Sequence, residues 1–232
     1  MEQWISFAKG PFFAFSFMVM ALGLIRLVIT QIYSLVLNKG RRLRNVPWKK
    51  IAVEATSWAI PVKHLIPGTR FFSITSYLFH LGVIAVPVLL TDHIVLWEGF
   101  VGVNLPEIGR GLGDILTLFT LACVVALFGC RLFIGRLRAM SMFMDYALLV
   151  MIFVPFASGY MASHPNVNLF SWESMMLVHL LSANLLLIAV PFTKLSHVVL
   201  FFFDRISQLH WQLRPGAGDQ VAEALYGKEA RV

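Results

Sequence analysis

Five long apolar runs divide the chain, separated by stretches that are short and polar or rich in arginine and lysine. The runs cover residues 12–37, 71–97, 112–135, 143–162 and 173–203, and each is long enough to cross a bilayer as a helix. None shows the strict polar alternation of a half-buried strand, so the pattern predicts an all-α integral membrane protein built as a five-helix bundle over residues 1–203. Residues 204–232 form a polar tail with a Pro-Gly break after a short helix to Leu213.

Composition agrees with that pattern: 58% of the 232 residues are hydrophobic and only 13% are charged, too apolar for an ordinary soluble domain. The first residues have no basic n-region or small-residue cleavage site, so the first run reads as a retained helix rather than a signal peptide. A net charge of +7 could suggest nucleic acid, but its distribution points to a membrane instead. Lys39, Arg41, Arg42, Arg44, Lys49, Lys50, Lys63 and Arg70 fall between the first two runs, Arg131, Arg136 and Arg138 between the third and fourth, and Arg205, Arg214, Lys228 and Arg231 after the last. Only Lys9 and Arg110 fall on the other side. The positive-inside rule therefore places the basic side in the cytoplasm and the N-terminus outside, with the bacterial inner membrane as the expected location.

Candidate chemistry lies in the histidines. The second run carries His80 and His93 with Pro87 between them, and the fifth carries His179 and His197. On one continuous helix, His179 and His197 would be five turns apart on the same face, roughly 27 Å along the axis. The second and fifth helices run in opposite directions, so His80 matches the depth of His197 and His93 that of His179. Imidazole is a common ligand for haem iron, and two such pairs would hold two b haems. One difficulty is rotation: the residues from His80 to His93 turn the helix by about 220°, which a kink at Pro87 or a local bulge must correct. Cys123 and Cys130 are too far apart on one helix to bridge, and no CxxCH or CxxC cluster exists, so histidine is left as the chief metal ligand.

The remaining polar groups have both ordinary and functional readings. Arg26 in the first run either snorkels to the headgroups or pairs with a haem propionate; Lys194, one turn before His197, is the first choice for such a pairing, with Arg70 and Arg131 as further cations toward the basic side. His64 and His210 read as surface residues, and His164 as a turn residue in SHPNVN. A quinone site would need a proton-handling group, for which Asp92, Glu98 and His164 are available. Small residues Ser158 and Gly159, with Pro155, permit close approach of another helix or a flat ligand.

The segments FHLGVIAVPVLLTDH, MDYALLV with a later SGY, and HLLSANLLLIAVPFTKLSH resemble the gamma-subunit family of respiratory nitrate reductase, the di-haem b membrane anchors. The resemblance runs from Gly10 to Phe203. It implies five helices around two b haems, with His80 and His197 on one iron and His93 and His179 on the other. The histidine spacing on the second helix and its proline depart from nitrate reductase and are more similar to the b subunits of sulfate-reducer transmembrane complexes. That likeness implies a cytoplasmic heterodisulfide-reductase-like iron–sulfur partner, other membrane subunits, and an exchange of electrons with a menaquinone pool or a periplasmic multihaem cytochrome c. The alternative is a haem-poor anchor that holds a redox complex at the basic face.

Overall fold

The computed structural model describes residues 1–39, 48–59, 69–102, 105–212 and 216–227. The chain is an all-α multi-pass membrane protein. Its helices are α1 (Glu2–Lys9), α2 (Pro11–Lys39), α3 (Trp48–Ala59), α4 (Arg70–Leu89), α5 (Thr91–Val101), α6 (Arg110–Phe133), α7 (Gly135–Ala139), α8 (Phe143–Ser163), α9 (Trp172–Ala189), α10 (His197–Gln212) and α11 (Ala217–Tyr226). Five stretches are long and apolar enough to span a bilayer: Glu2–Ser34, Arg70–Leu89, Arg110–Phe133, Phe143–Ser163 and Trp172–Phe192. Among the described residues the β structure is one isolated bridge, Leu90 to Ile108.

Two of the expected helices are interrupted, and the first, unbroken over 12–37, is preceded by a short extra helix. The first begins earlier than residue 12, with α1 ending at Gly10 and α2 starting on Pro11, whose missing N–H costs nothing at a helix start. The second is not one helix over 71–97. It passes through Pro87 and breaks at Leu90, where the backbone turns extended (φ −64°, ψ 130°). Ile108 N–H donates to the Leu89 carbonyl at 2.8 Å, and Thr91 N–H donates back to Ile108 O at 3.2 Å. The fifth is not continuous over 173–203 either. Between α9 and α10 lie two 3₁₀ turns, Val190–Phe192 and Lys194–Ser196, joined by an extended Thr193. Pro191 cannot donate to the helix ladder, and the Thr193 hydroxyl donates to the Ala189 carbonyl at 2.8 Å. The five-turn spacing of His179 and His197 on one ideal helix therefore does not hold.

The chain divides into two compact units. The first comprises residues 1–18 and 65–188, and its centre is the α4–α6–α8 layer. As position advances along α4 from Phe72 through Gly82 to Leu90, the facing residue on α6 retreats from Arg131 through Thr120 to Gly113, so the two helices are antiparallel. Helix α8 runs antiparallel to α6 in turn, with Tyr146 bonded to Arg131 near one end and His164 facing Asp114 at the other. Close approach is achieved with glycine: a Cβ on Gly82 would overlap the Thr120 hydroxyl, and one on Gly113 would overlap Leu90. The buried hydroxyls of Thr117 and Thr120 donate to Gly113 O at 2.7 Å and Leu116 O at 2.6 Å, so neither is left unpaired in an apolar layer. Phe13 and Phe17 pack edge-on against Trp97 and Phe100, and buried Asn184 of α9 donates to Ala8 O at 2.9 Å, fixing the N-terminal segment to this unit.

The second unit comprises residues 19–64 and 189–232. Here α10 packs against α3 and α11, with Ile51 and Ala222 buried, and Gly23 of α2 admits the ring of Pro191, whose Cβ would lie 2.5 Å from an added methyl.

The α4–α6 contact yields a test. Replacing Gly82 by Ala forces a methyl into Thr120 and should cost about 1–3 kcal/mol, the usual cost of overpacking. Thermal unfolding in detergent should show a lower Tm for G82A and little change for Ala at Gly99, which has open space beside it.

Candidate functional site: a close pair of histidines

His93 lies one turn into α5, immediately beyond the break at Leu90. His179 lies in the second turn of α9. Their imidazole centroids are 6.0 Å apart and their planes differ by 5°. The extended Leu90 separates α4 from α5, so the phase of α4 does not carry through to His93. Two imidazoles on opposite sides of one metal have centroids about 6 Å apart, from metal–nitrogen bonds of about 2 Å each plus the distance from nitrogen to ring centre.

Hydrogen bonding sets the tautomer of both rings. His93 Nδ1 is 3.1 Å from Val86 O, and His179 Nδ1 is 2.8 Å from Pro155 O. A carbonyl only accepts, so Nδ1 donates its proton, and a neutral ring then carries its lone pair on Nε2. Metal-ligating histidines commonly show this arrangement, with one nitrogen tied to a backbone oxygen and the other left for the metal. His80 and His197 are likewise tied to backbone through Nδ1: His80 Nδ1 donates to Ser76 O at 2.6 Å, and His197 Nδ1 donates to Lys194 O at 2.6 Å. His80 belongs to the first unit and His197 to the second.

Gly159 of α8 shapes the seat of His179. A Cβ there would lie 2.7 Å from His179 Nδ1 and 2.9 Å from its Cε1, closer than real contacts allow. Among the described residues no group of three or more His, Cys, Asp or Glu side chains could hold a bare metal ion. A haem asks for less, since the porphyrin supplies four iron ligands and the protein only the axial two. Two near-parallel rings 6.0 Å apart, with both Nδ1 atoms tied to carbonyls, are compatible with that requirement.

The other polar residues take mixed positions. His164 is less a free turn residue than the sequence suggests. It closes α8 with Nδ1 on Tyr160 O at 2.9 Å, its ring lies 4.1 Å from that of Tyr160, and its Nε2 is 3.3 Å from Asp114. Asp92 makes a two-pronged pair with Arg110 at 3.0 and 3.2 Å, and both side chains are exposed. Arg26 and Lys194 are exposed, and the Lys194 carbonyl orients His197. Glu98 is exposed as well. His64 and the side chain of His210 lie outside the described residues. Sequence reasoning missed the Asp114–His164 pair and the role of Gly159 as a seat for His179; the SGY triplet was the available signal for the latter.

The fold and this pair define a five-span helical membrane protein with an oriented bis-histidine arrangement between two of its helices. A protein of Nitratidesulfovibrio vulgaris (strain Hildenborough) is 32% identical to the chain over 209 residues, covering 86% of this chain and 89% of its own length. The chain belongs to the family of that protein, whose recorded name, "Protein", states no activity. No family model and no solved structure matches the chain.

The seat of His179 can be probed directly. Gly159→Ala should displace the ring and lower stability by about 1–3 kcal/mol, read as a fall in the thermal midpoint. Ala at Gly129, whose nearest neighbour would be 4.0 Å away, serves as the control on an adjacent helix.

Proposed function

We propose that the protein is a di-haem cytochrome b subunit of a respiratory redox complex in a bacterial inner membrane, passing electrons across the bilayer. The observation that carries the reading is the His93–His179 pair, at a centroid separation and ring alignment suited to two axial ligands of one iron. Each haem, when bound, would accept and release one electron. The chain's own part is to present Nε2 atoms from rings fixed through Nδ1, to enclose them between apolar helices, and so to set how readily the electron is held. His80 and His197 are assigned the second haem on the sequence motif, supported by the same Nδ1-to-carbonyl orientation in each.

The partners in this proposal are a cytoplasmic heterodisulfide-reductase-like iron–sulfur subunit at the basic face and, on the other side, menaquinone or a multihaem cytochrome c. The alternative is a haem-poor membrane anchor for a peripheral redox complex; the separation of the His93 and His179 rings favours the haem-bearing reading.

The test is the haem count by pyridine haemochrome assay. The intact protein should carry about two b haems per chain, and H93A and H179A should each carry about one, with the same one lost in both. H80A and H197A should lose the other. A folded, haem-free preparation would refute the reading.

A further inference from the structure

At the basic end of the first unit, one guanidinium is held firmly yet left with incomplete bonding. Arg131 lies in the last turn of α6. Its Nη1 donates to Ser141 Oγ at 2.9 Å, and its guanidinium carbon sits 5.3 Å from the centre of the Phe72 ring on α4. Tyr146 of α8 donates its hydroxyl proton to the Arg131 carbonyl at 3.0 Å. Three neighbouring segments thus fix the residue. Its Nε–H is nevertheless buried with no acceptor, and among the described residues no carboxylate lies within ion-pair distance. The nearest acid in sequence on α8, Asp145, caps its own helix by accepting from Met142 N–H at 2.8 Å.

A guanidinium keeps its proton under all ordinary conditions and presents its donors in a rigid planar fork. Leaving one of those donors buried and unpaired is costly, because its lost hydration is not replaced. Arg26 and Lys194 are exposed and can meet headgroups or water, whereas Arg131 is half-buried and oriented. A planar oxyanion that accepts from two edges of the fork would complete the site.

We propose that Arg131 is an oxyanion-binding residue and that its ligand is a propionate carboxylate of the haem assigned to His80. The assignment of that ligand rests on the di-haem reading above. Phe72, which the guanidinium covers, lies eight residues before His80 on α4, roughly 12 Å along the axis, so Arg131 stands between the imidazole and the basic end. A haem bound at His80 would have propionates to place in a bundle that offers them little water, and a fixed guanidinium is the group that accommodates them. A phospholipid phosphate has the same oxyanion chemistry and must be distinguished from the haem carboxylate.

The experiment is a redox titration of the purified protein with its haem, comparing wild type, Arg131→Gln and Arg131→Lys, with haem and lipid phosphorus counted in each. A guanidinium beside a propionate favours the reduced, less positive haem. R131Q should therefore lower one of the two midpoint potentials, by about a tenfold change in the one-electron equilibrium or about 59 mV, and leave the other in place. R131K, which keeps the charge but not the fork, should shift the same potential by less. Two unmoved potentials in R131Q at full haem content would overturn the propionate assignment. A simultaneous loss of bound phospholipid would then identify phosphate as the ligand, and no change in either quantity would overturn the oxyanion site altogether. If R131Q does not accumulate, R131K alone decides by the same criterion. Wild type without haem would defeat the di-haem reading instead, leaving the phosphorus count to judge the oxyanion site.

Discussion

Backbone carbonyls released inside an apolar layer must find donors, because hydrocarbon offers none, and the rest of this structure depends on how that constraint is met. Helix α4 ends at Leu89; Val86 O accepts the Leu90 N–H at 3.2 Å and has room for a second donor, while Pro87 and Leu89 O look for donors outside the helix. His93 Nδ1, Trp97 Nε1 at 3.0 Å and the Ile108 N–H each serve one of them. At the turn after α9, the Thr193 hydroxyl and His197 Nδ1 do the same for Ala189 and Lys194. In each case a backbone carbonyl that also serves the main chain fixes which nitrogen of the ring bears the proton.

That coupling explains why the histidine pair could be read only in part from sequence. The five apolar runs were visible because hydropathy depends on composition alone; α6 and α8 fall within two residues of the runs that predicted them. The candidate histidines were visible because ionisable groups are rare in such runs. The break at Leu90 was not, since its stability depends on Ile108, which lies across a loop and has no local signature. Pro87 was the obvious place for a kink, yet α4 continues past it to Leu89 before breaking at Leu90. Similarly, Pro191 pointed to a disturbance on the fifth helix, but its extent to His197 depends on the Thr193 hydroxyl.

Arg131 and Gly159 show a second limit. The sequence offers Arg131 as one of several cations toward the basic side that could meet a haem propionate, and only the positions of Ser141, ten residues on, and of the distant Phe72 make it a fixed group. Gly159 reads as a site of close approach, but the neighbour it admits is the His179 ring, chosen by tertiary packing.

The antiparallel match between α4 and α6 also constrains how the bundle assembles. Leu90 and Gly113 are close in sequence, Gly82 and Thr120 are farther apart, and Phe72 and Arg131 are the most distant of the matched pairs. Loop-closure entropy rises with the length of chain enclosed, so contacts at the Leu90–Ile108 end cost least and each one shortens the loop left for the next. Loop-closure entropy therefore favours pairing from that end, with the basic end, where Arg131 and Phe72 meet, the costliest part of the layer to close.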